Sequence, residues 1–189
     1  KHVRVPSNNT YKDEPIGNTA IQIKDDEFLL VEKGYDTLSK KFQLILFKIN
    51  ENGELKNYKS LSQTDIEANQ TIIKNVLKLQ DGKILVILWD NFYKYLFYYF
   101  DENSDFLYKK SFNLARGIRS IKEADNGEFI CTSLAYNGST FQFYRIDSTG
   151  EIKWIINPYN DFGSAREILI ENNKIYVIGS LSYGVFLIY

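Results

Sequence analysis

Short runs of alternating apolar and polar residues, each about as long as a β-strand, follow one another along most of this chain. Almost none shows the three-to-four-residue spacing of an amphipathic helix. Polar turns separate the runs, and Asp-Gly or Asn-Gly pairs in them supply the positive φ angles that tight hairpins need. The pattern therefore predicts an all-β protein built from antiparallel hairpins.

The runs repeat in a fixed order of four strands, A to D, in which A pairs with B and C pairs with D. Aligned positions in strand B recur at intervals of roughly 45–55 residues, which is typical of a repeat architecture. These positions are Phe28, Ile84, Phe129 and Ile175.

The turn between strands C and D is the clearest copy. Residues 49–56 read Ile-Asn-Glu-Asn-Gly-Glu-Leu-Lys, and residues 146–153 read Ile-Asp-Ser-Thr-Gly-Glu-Ile-Lys. A looser copy spans residues 100–107, with Ser104 in the place of the glycine. One turn occurs in three copies, each after an aromatic-rich run. This indicates that the same hairpin is repeated along the chain.

Four-stranded antiparallel units in tandem are typical of a β-propeller. We predict one domain over residues 1–189, with blades at about 17–60, 70–112, 116–157 and 164–189. The fourth unit stops after strand C, and the alternating segment 1–6 has the length of the missing strand. The sequence therefore favours a ring of four blades closed by the N-terminal strand. The alternative is an arc of a larger propeller, completed by a second copy or by residues outside this sequence.

The third unit carries a family resemblance in residues 126–130, Asn-Gly-Glu-Phe-Ile, and in the segment from Phe143 to Trp154. It resembles the tandem propeller repeats of bacterial secreted and surface proteins, where a Gly-Gly-Tyr/Phe-Ile-Val hairpin precedes a Tyr-Leu-Val-Lys-Leu-Asp-x-x-Gly-x-x-x-Trp hairpin. The resemblance covers residues 17–189 and departs from the family at Ser104. It implies a propeller in an extracytoplasmic location, whether secreted, periplasmic or at the cell surface. It implies no particular function, because propellers host lectins, adhesins, scaffolds and enzymes.

The amino-acid composition and net charge exclude some classes of function. The chain has 14 tyrosines and 13 phenylalanines, residues that fit half-buried pleated sheets. With a net charge of −1 the protein has no overall positive potential that would attract nucleic acid, so we expect no nucleic-acid partner. No apolar run is long enough to span a bilayer. The single cysteine, Cys131, cannot form an internal disulfide.

Residues suited to catalysis are scarce. His2 is the only histidine and lies in a terminal segment, which makes a Ser-His-Asp or Cys-His arrangement implausible. Cys131 lies among apolar strand residues and suits a buried position. Asp101, Asn103 and Asp105 imitate the start of a calcium loop, but its glycine and closing glutamate are missing. We therefore expect no catalytic residue, no metal and no cofactor.

Binding residues are expected on the propeller face that the B–C loops share with the D–A connections. Each B–C loop carries an aromatic ring suited to sugars or peptides. The rings predicted to bind are Tyr35, Trp89, Tyr93, Tyr136 and Tyr183. The alternative is that each ring packs on its own hairpin.

Cations recur at the start of strand A in three of the four units. They are Lys74, Arg119 and Arg166, with Thr19 at the aligned place in the first unit. A group of cations near the propeller axis would attract a carboxylate, sulfate or phosphate. The alternative is pairing with neighbouring acids such as Glu167, Asp161 or Asp65.

The sequence as a whole favours a non-catalytic recognition or scaffolding module that binds a glycan, a protein or a peptide, including anionic ones. The alternative is a carbohydrate-active hydrolase or lyase that uses paired carboxylates, such as Asp161 and Glu167 or Asp25 and Asp26. A third reading is a purely structural part of a larger surface assembly, and the sequence leaves open whether the protein is a monomer.

Overall fold

The computed structural model of the chain is all-β and contains fifteen antiparallel strands in the residues that it describes. Those residues are 19–36, 41–61, 71–90, 94–113, 117–124, 127–134, 141–156, 163–171, 174–181 and 184–188.

The strands form four separate sheets, and in each sheet the spatial order of the strands follows the order in the sequence. Sheet 1 contains β1 (Ala20–Lys24), β2 (Glu27–Asp36), β3 (Lys41–Asn50) and β4 (Leu55–Leu61). Sheet 2 contains β5 (Ile72–Lys78), β6 (Ile84–Trp89), β7 (Lys94–Phe100) and β8 (Phe106–Asn113). Sheet 3 contains β9 (Ser120–Glu123), β10 (Phe129–Leu134), β11 (Phe141–Ile146) and β12 (Ile152–Ile156). Sheet 4 contains β13 (Gly163–Glu171), β14 (Lys174–Leu181) and β15 (Gly184–Ile188).

The predicted four-stranded antiparallel sheets are confirmed in sheets 1 to 3, while sheet 4 has three described strands. The segment 1–6, predicted to complete sheet 4 and close the ring, lies outside the described residues. The number of blades and their closure therefore stay predictions, as does the single domain over residues 1–189. The chain divides into two compact units, Lys1–Lys110 and Ser111–Tyr189.

Sheets 1 and 2 pack against each other, and burial alternates along β3 of sheet 1, whereas nearly all of β6 and β7 in sheet 2 is buried. Along β3, Leu44 and Leu46 are buried while Ile45 between them is partly exposed. Their side chains join one apolar cluster with Val86 and Tyr98 of sheet 2. Full burial of a Val or Leu side chain contributes roughly 1.5–3 kcal/mol, so this cluster is a main source of stability in the first unit.

Lysines link the same two sheets through backbone oxygens. The ammonium of Lys48 donates to the carbonyl of Glu102 at 2.6 Å and lies 3.6 Å from the carboxylate of Glu27. The ammonium of Lys78 donates to the carbonyl of Ile23, also at 2.6 Å. These lysines therefore donate hydrogen bonds to carbonyl groups at the boundary between two sheets. A lysine in a strand would otherwise be expected to lie on a solvent-exposed face.

The C–D turns are three copies of one hydrogen-bonded structure. In each, the side chain of the first residue accepts two backbone N–H groups, from the residues two and four places later. These first residues are Asn50, Asp101 and Asp147. The fourth residue of each turn has a positive φ, which is 79° at Gly53, 68° at Ser104 and 89° at Gly150. The turn repeat seen in the sequence is therefore a repeat of backbone conformation.

Ser104 is the strained member of this set, and we expect Ser104→Gly to stabilise the protein. A side chain at positive φ costs about 1–2 kcal/mol, and the Ser104 hydroxyl is buried without a hydrogen-bond partner. Against this, glycine loses about 0.5–1 kcal/mol more chain entropy on folding. We expect a net gain of about 1 kcal/mol in the free energy of unfolding, measured by urea denaturation. Asn103→Gly in the same turn is the control, and a gain of the same size there would contradict this account.

The last copy of the turn should make stability depend on pH. The hydroxyl of Thr149 at 2.6 Å and the ammonium of Lys153 at 2.9 Å hold the pKa of Asp147 well below its ordinary value. Because the folded-state pKa is depressed, the stabilisation is present above the unfolded pKa of about 3.9 and is lost as the pH falls below it. Asn50 shows that an asparagine fits this turn, so Asp147→Asn keeps the acceptor without the charge.

We expect the wild type to melt at a higher temperature than Asp147→Asn at neutral pH. The difference should shrink as the pH falls below about 4. Thermal unfolding followed by circular dichroism at several pH values measures it. A difference that does not change with pH would show that the charge of Asp147 plays no part.

Candidate functional site

The predicted cations lie at equivalent sheet ends, which are described for each unit by itself. In the first unit this is the end where β5 begins and β6 finishes, and in the second unit it is the ends where β9 and β13 begin and where β10 and β14 finish. The structure describes the side chains of three predicted site residues, Trp89, Lys74 and Arg119. For Tyr35 and Arg166 it describes the backbone. Tyr93, Tyr136 and Tyr183 lie outside the described residues, so their binding role stays a prediction.

Tyr35 is not in a loop, as the sequence suggested, but inside a strand. Strand β2 continues to Asp36, and Tyr35 pairs with Phe42 of β3. The hairpin is therefore longer than its apolar pattern indicates. Gly34 and Lys33 interrupt that pattern, so the sequence places Tyr35 beyond the end of the strand.

Trp89 ends β6 and forms a compact group with Lys74. Trp89 pairs with Ile72 of β5, and the Lys74 ammonium lies 4.4 Å from the centre of the indole ring. Tyr95 of β7 stacks beside the ring at 6.5 Å between centroids and 21° between planes. A cation over an indole face is worth about 0.5–2 kcal/mol, depending on how far it is desolvated. The ring therefore holds Lys74 in place, and less of its surface is left for stacking on a sugar.

Lys33 of β2 is a second lysine whose side chain reaches the start of β5, and it was not among the predicted site residues. Its ammonium donates to the carbonyl of Thr71 at 3.1 Å, and burial lowers the pKa of Lys33. Thr71 directly precedes Ile72, the strand partner of Trp89. Two lysines thus reach the beginning of β5. Nothing in the sequence distinguishes Lys33, because a strand lysine usually faces solvent.

Lys74 and Arg166 occupy irregular backbone positions of the same kind. Strand β5 has a register shift between Ile73 and Asn75, and β13 has one between Ala165 and Glu167. In each case the cation is the extra residue of a β-bulge. Bulges redirect side chains and are common beside functional sites.

Arg119 occupies the corresponding place in sheet 3. Its backbone N–H donates to the carbonyl of Thr132 at 2.8 Å, while the N–H of Ser120 bonds to the hydroxyl of Thr132 at 3.1 Å. Two successive amides thus share one partner residue, as at a bulge. The Arg119 side chain is exposed, and it makes no ion pair within the described part of the chain.

The strand pairing in sheet 1 changes which of its residues is equivalent to the cations of the other sheets. The N–H of Val31 donates to the carbonyl of Thr19 at 2.8 Å, which places Thr19 opposite Val31. In sheet 2 the residue opposite the aligned Ile87 is Asn75, one place after Lys74. Thr19 therefore does not correspond to the cations. The corresponding residue is Asn18, which lies outside the described residues.

One predicted acidic partner of the cations is engaged elsewhere. The carboxylate of Glu167 lies 3.3 Å from the ammonium of Lys122, which joins β13 to β9. That contact joins the first strands of sheets 3 and 4, and Arg119 and Arg166 lie near the start of these strands. Asp161 and Asp65, the other proposed partners, lie outside the described residues.

The candidate catalytic and metal-binding groups serve structural roles where they are described. The thiol of Cys131 is buried, and that burial raises its pKa well above the ordinary value. The Asp101 carboxylate is occupied by the turn amides of Asn103 and Asp105. Asp25 and Asp26 occupy the β1–β2 turn, where Asp26 lies 3.4 Å from the ammonium of Lys56. In the described ranges, no cluster of three or more His, Cys, Asp or Glu is arranged to hold a metal ion.

Nothing helical in the described ranges has the length and apolar character needed to cross a membrane.

Comparison with known proteins supports the fold and leaves the function open. No family model matches the chain, and no curated protein matches it in sequence. A protein of unknown function from Bacteroides caccae is similar in structure, with a TM-score of 0.55 and 12% identity over 86% of this chain and 57% of that one. An exo-β-1,3-galactanase from Phanerochaete chrysosporium, in a structure with β-1,3-galactotriose, has a TM-score of 0.55 and 13% identity over 82% of this chain and 39% of that one.

At these identities the likeness shows a shared all-β, propeller-like fold. The chain spans a little over half of the first protein and about two fifths of the second. The predicted propeller-like architecture is confirmed at this level. The specific bacterial repeat family remains a resemblance.

Proposed function

We propose that the protein is a non-catalytic recognition module that binds an anionic glycan or an acidic peptide through cations at the start of the first strand of its sheets. One observation carries the proposal. A cation occupies the same place in the strand register of three sheets, as Lys74, Arg119 and Arg166. Pairing position, rather than sequence spacing alone, makes the three equivalent.

The chemistry of these residues favours an anion with several acceptor oxygens. An arginine guanidinium can bind a carboxylate, sulfate or phosphate through two parallel hydrogen bonds. Arg119 is exposed, so it can reach a ligand without first breaking a described ion pair. Lys74 is held over Trp89, which limits the side-chain entropy that it would lose on binding.

The aromatic residues have two proposed roles, positioning a cation and stacking on the ligand. Trp89 positions Lys74, and Tyr35, Tyr93, Tyr136 and Tyr183 are proposed to provide the stacking surface for sugar rings or peptide side chains. We also propose an extracytoplasmic location, in line with the resemblance to secreted and surface repeats.

A matched pair of polysaccharides tests the ligand class. Dextran sulfate and uncharged dextran share one sugar backbone, and a glycan and peptide array extends the comparison to other anions. We expect binding to dextran sulfate that weakens as salt is added, because exposed charges are screened. No measurable binding to dextran sulfate, together with no acidic ligand on the array, would contradict the proposal.

The structural likeness to a galactanase favours one alternative, a carbohydrate-active hydrolase. Such an enzyme needs two carboxyl groups about 5–10 Å apart. Asp25 and Asp26, a pair that the sequence offered, lie in the β1–β2 turn, at the sheet end opposite the cations. Release of reducing ends from β-1,3-galactan tests this alternative, and we expect none.

A further inference from the structure

Two polar side chains of sheet 3 are buried beside each other. Ser133 near the end of β10 is 1% exposed, and Gln142 near the start of β11 is 6% exposed. The Ser133 hydroxyl oxygen and the Gln142 amide oxygen Oε1 are closed off from solvent, and neither makes a hydrogen bond within the described part of the chain. The two residues pair directly across the strands, so their side chains lie on one face of the sheet.

The same two positions in sheet 2 are apolar. Counted from the first residues of β6 and β10, they are Leu88 and Leu96, which also pair with each other. Both leucines are buried and belong to the apolar cluster of the first unit. The hairpin therefore does not need polar side chains at this place. Serine and glutamine are each smaller than leucine, so the pair in sheet 3 also fills less of the space on this face.

Burial of a polar group without a partner opposes folding, and native proteins pair nearly all such groups with the chain or with ordered water. The neighbouring residue shows the usual arrangement. Thr132 is 0% exposed, and its hydroxyl accepts the backbone N–H of Ser120 at 3.1 Å. For Ser133 and Gln142 the described chain supplies no such bond, so we expect their partner to come from outside the chain.

The chemistry of the pair restricts that partner. The Oε1 atom of Gln142 can only accept a hydrogen bond, so the partner must carry a hydrogen to donate. A sulfate or an ionised carboxylate has none. The Ser133 hydroxyl can donate or accept, which suits a group that does both. Water is such a group, and it is small enough for a place that is closed to solvent.

We propose that Ser133 and Gln142 hold an internal water molecule that bridges β10 and β11. The water links the last part of one strand to the first part of the next, at the end of sheet 3 that also carries Arg119. Its site consists of neutral groups, whereas the proposed anion site consists of cations. The inference therefore goes beyond the proposed function and does not rest on it.

Oxygen-17 magnetic relaxation dispersion, which counts long-lived internal waters, tests the site directly. We expect the wild type to hold one more such water than Ser133→Ala with Gln142→Leu. Thr132→Val is the matched control, because it removes a buried hydroxyl that already has a partner in the chain. This control should hold as many waters as the wild type. If the double variant loses its sheet signal in circular dichroism, Gln142→Met replaces Gln142→Leu.

Thermal unfolding of the single and double variants gives an independent test. Each single variant removes one hydrogen bond to the water and leaves the other polar group buried, so we expect Tm to fall by about 2–4 °C. The double variant removes both polar groups, and its Tm should lie closer to the wild type than the sum of the single effects predicts. Polar groups with no partner at all would give the opposite sign, a higher Tm in each single variant.

Two results would overturn the proposal. One is an equal number of long-lived waters in the wild type and the double variant, and the other is a raised Tm in both single variants. A sugar hydroxyl has the same hydrogen-bonding chemistry as water, so both measurements use the protein without any dextran. An equal number of waters together with weaker binding of the double variant to dextran sulfate would assign the pair to a ligand hydroxyl instead. Failure of the cations to bind anions would leave these measurements unchanged.

Discussion

Replacing Arg119 and Arg166 together by alanine is expected to weaken binding to dextran sulfate by about a hundredfold. A charge-assisted hydrogen bond contributes about 1.5–3 kcal/mol when it is well formed, and each 1.4 kcal/mol is a factor of ten. Solvent screening at the exposed Arg119 argues for the low end of that range, or about tenfold for each arginine. Isothermal titration calorimetry of the wild type and the double variant measures this change in the dissociation constant for dextran sulfate.

The control removes two positive charges from the same unit at other places. Lys122 lies three residues further along from Arg119 and pairs with Glu167, and Lys174 is an exposed residue at the start of β14. Lys122→Ala with Lys174→Ala should weaken binding by less than about threefold, or under about 0.7 kcal/mol. An equal loss in both double variants would mean that the net charge attracts the ligand and that no site exists at the strand starts.

Replacing the two arginines by lysine separates charge from geometry. Lysine keeps the positive charge but cannot form the paired hydrogen bonds of a guanidinium. We expect Arg119→Lys with Arg166→Lys to bind between the wild type and the alanine variant. Full recovery by lysine would show that charge alone is needed.

Gly150→Ala is expected to destabilise the protein by about 3 kcal/mol or more, the largest effect among the turn residues. Gly150 has a φ of 89°, and an added Cβ would overlap the ring of Phe112, which is 5% exposed. Gly53 occupies the same turn position in sheet 1 with a φ of 79° and no atom within 4 Å of an added Cβ. Gly53→Ala should therefore cost only the conformational part, about 1–2 kcal/mol.

Urea denaturation of the two variants measures the difference, and a second substitution identifies its cause. Phe112→Leu makes room beside Gly150, so we expect Gly150→Ala with Phe112→Leu to be more stable than the sum of the single effects predicts. Strict additivity of the two changes would mean that the ring of Phe112 does not press on this turn. Equal losses at Gly150 and Gly53 would mean the same.

The C–D turns were predictable because their chemistry is local. An Asn or Asp followed three residues later by glycine specifies both the side-chain hydrogen bonds and the positive φ of the turn. Ser104 fits the same backbone despite its side chain, which shows that the surrounding hairpin decides the conformation there. The order of strands within each sheet followed from this repeat.

The contacts of the candidate site were less accessible to the sequence. The position of Lys74 over Trp89 depends on a register shift in β5, and no residue pattern marks that shift. Burial of Lys33 depends on how two sheets pack, because one of its partners is a backbone carbonyl 38 residues away. The sequence could indicate that cations recur at strand starts, but their equivalence needed the pairing of the strands.

Amide chemical shifts measured as short dextran sulfate chains are added test the central claim most directly, that the cation at one register position of sheets 2, 3 and 4 binds anions. The account predicts that the largest changes appear at Lys74, Arg119 and Arg166 and at their strand neighbours. It predicts small changes at the opposite ends of the sheets, for example at Asp25 and Gly82. Largest changes at those turns, or equal changes at all exposed cations, would contradict it.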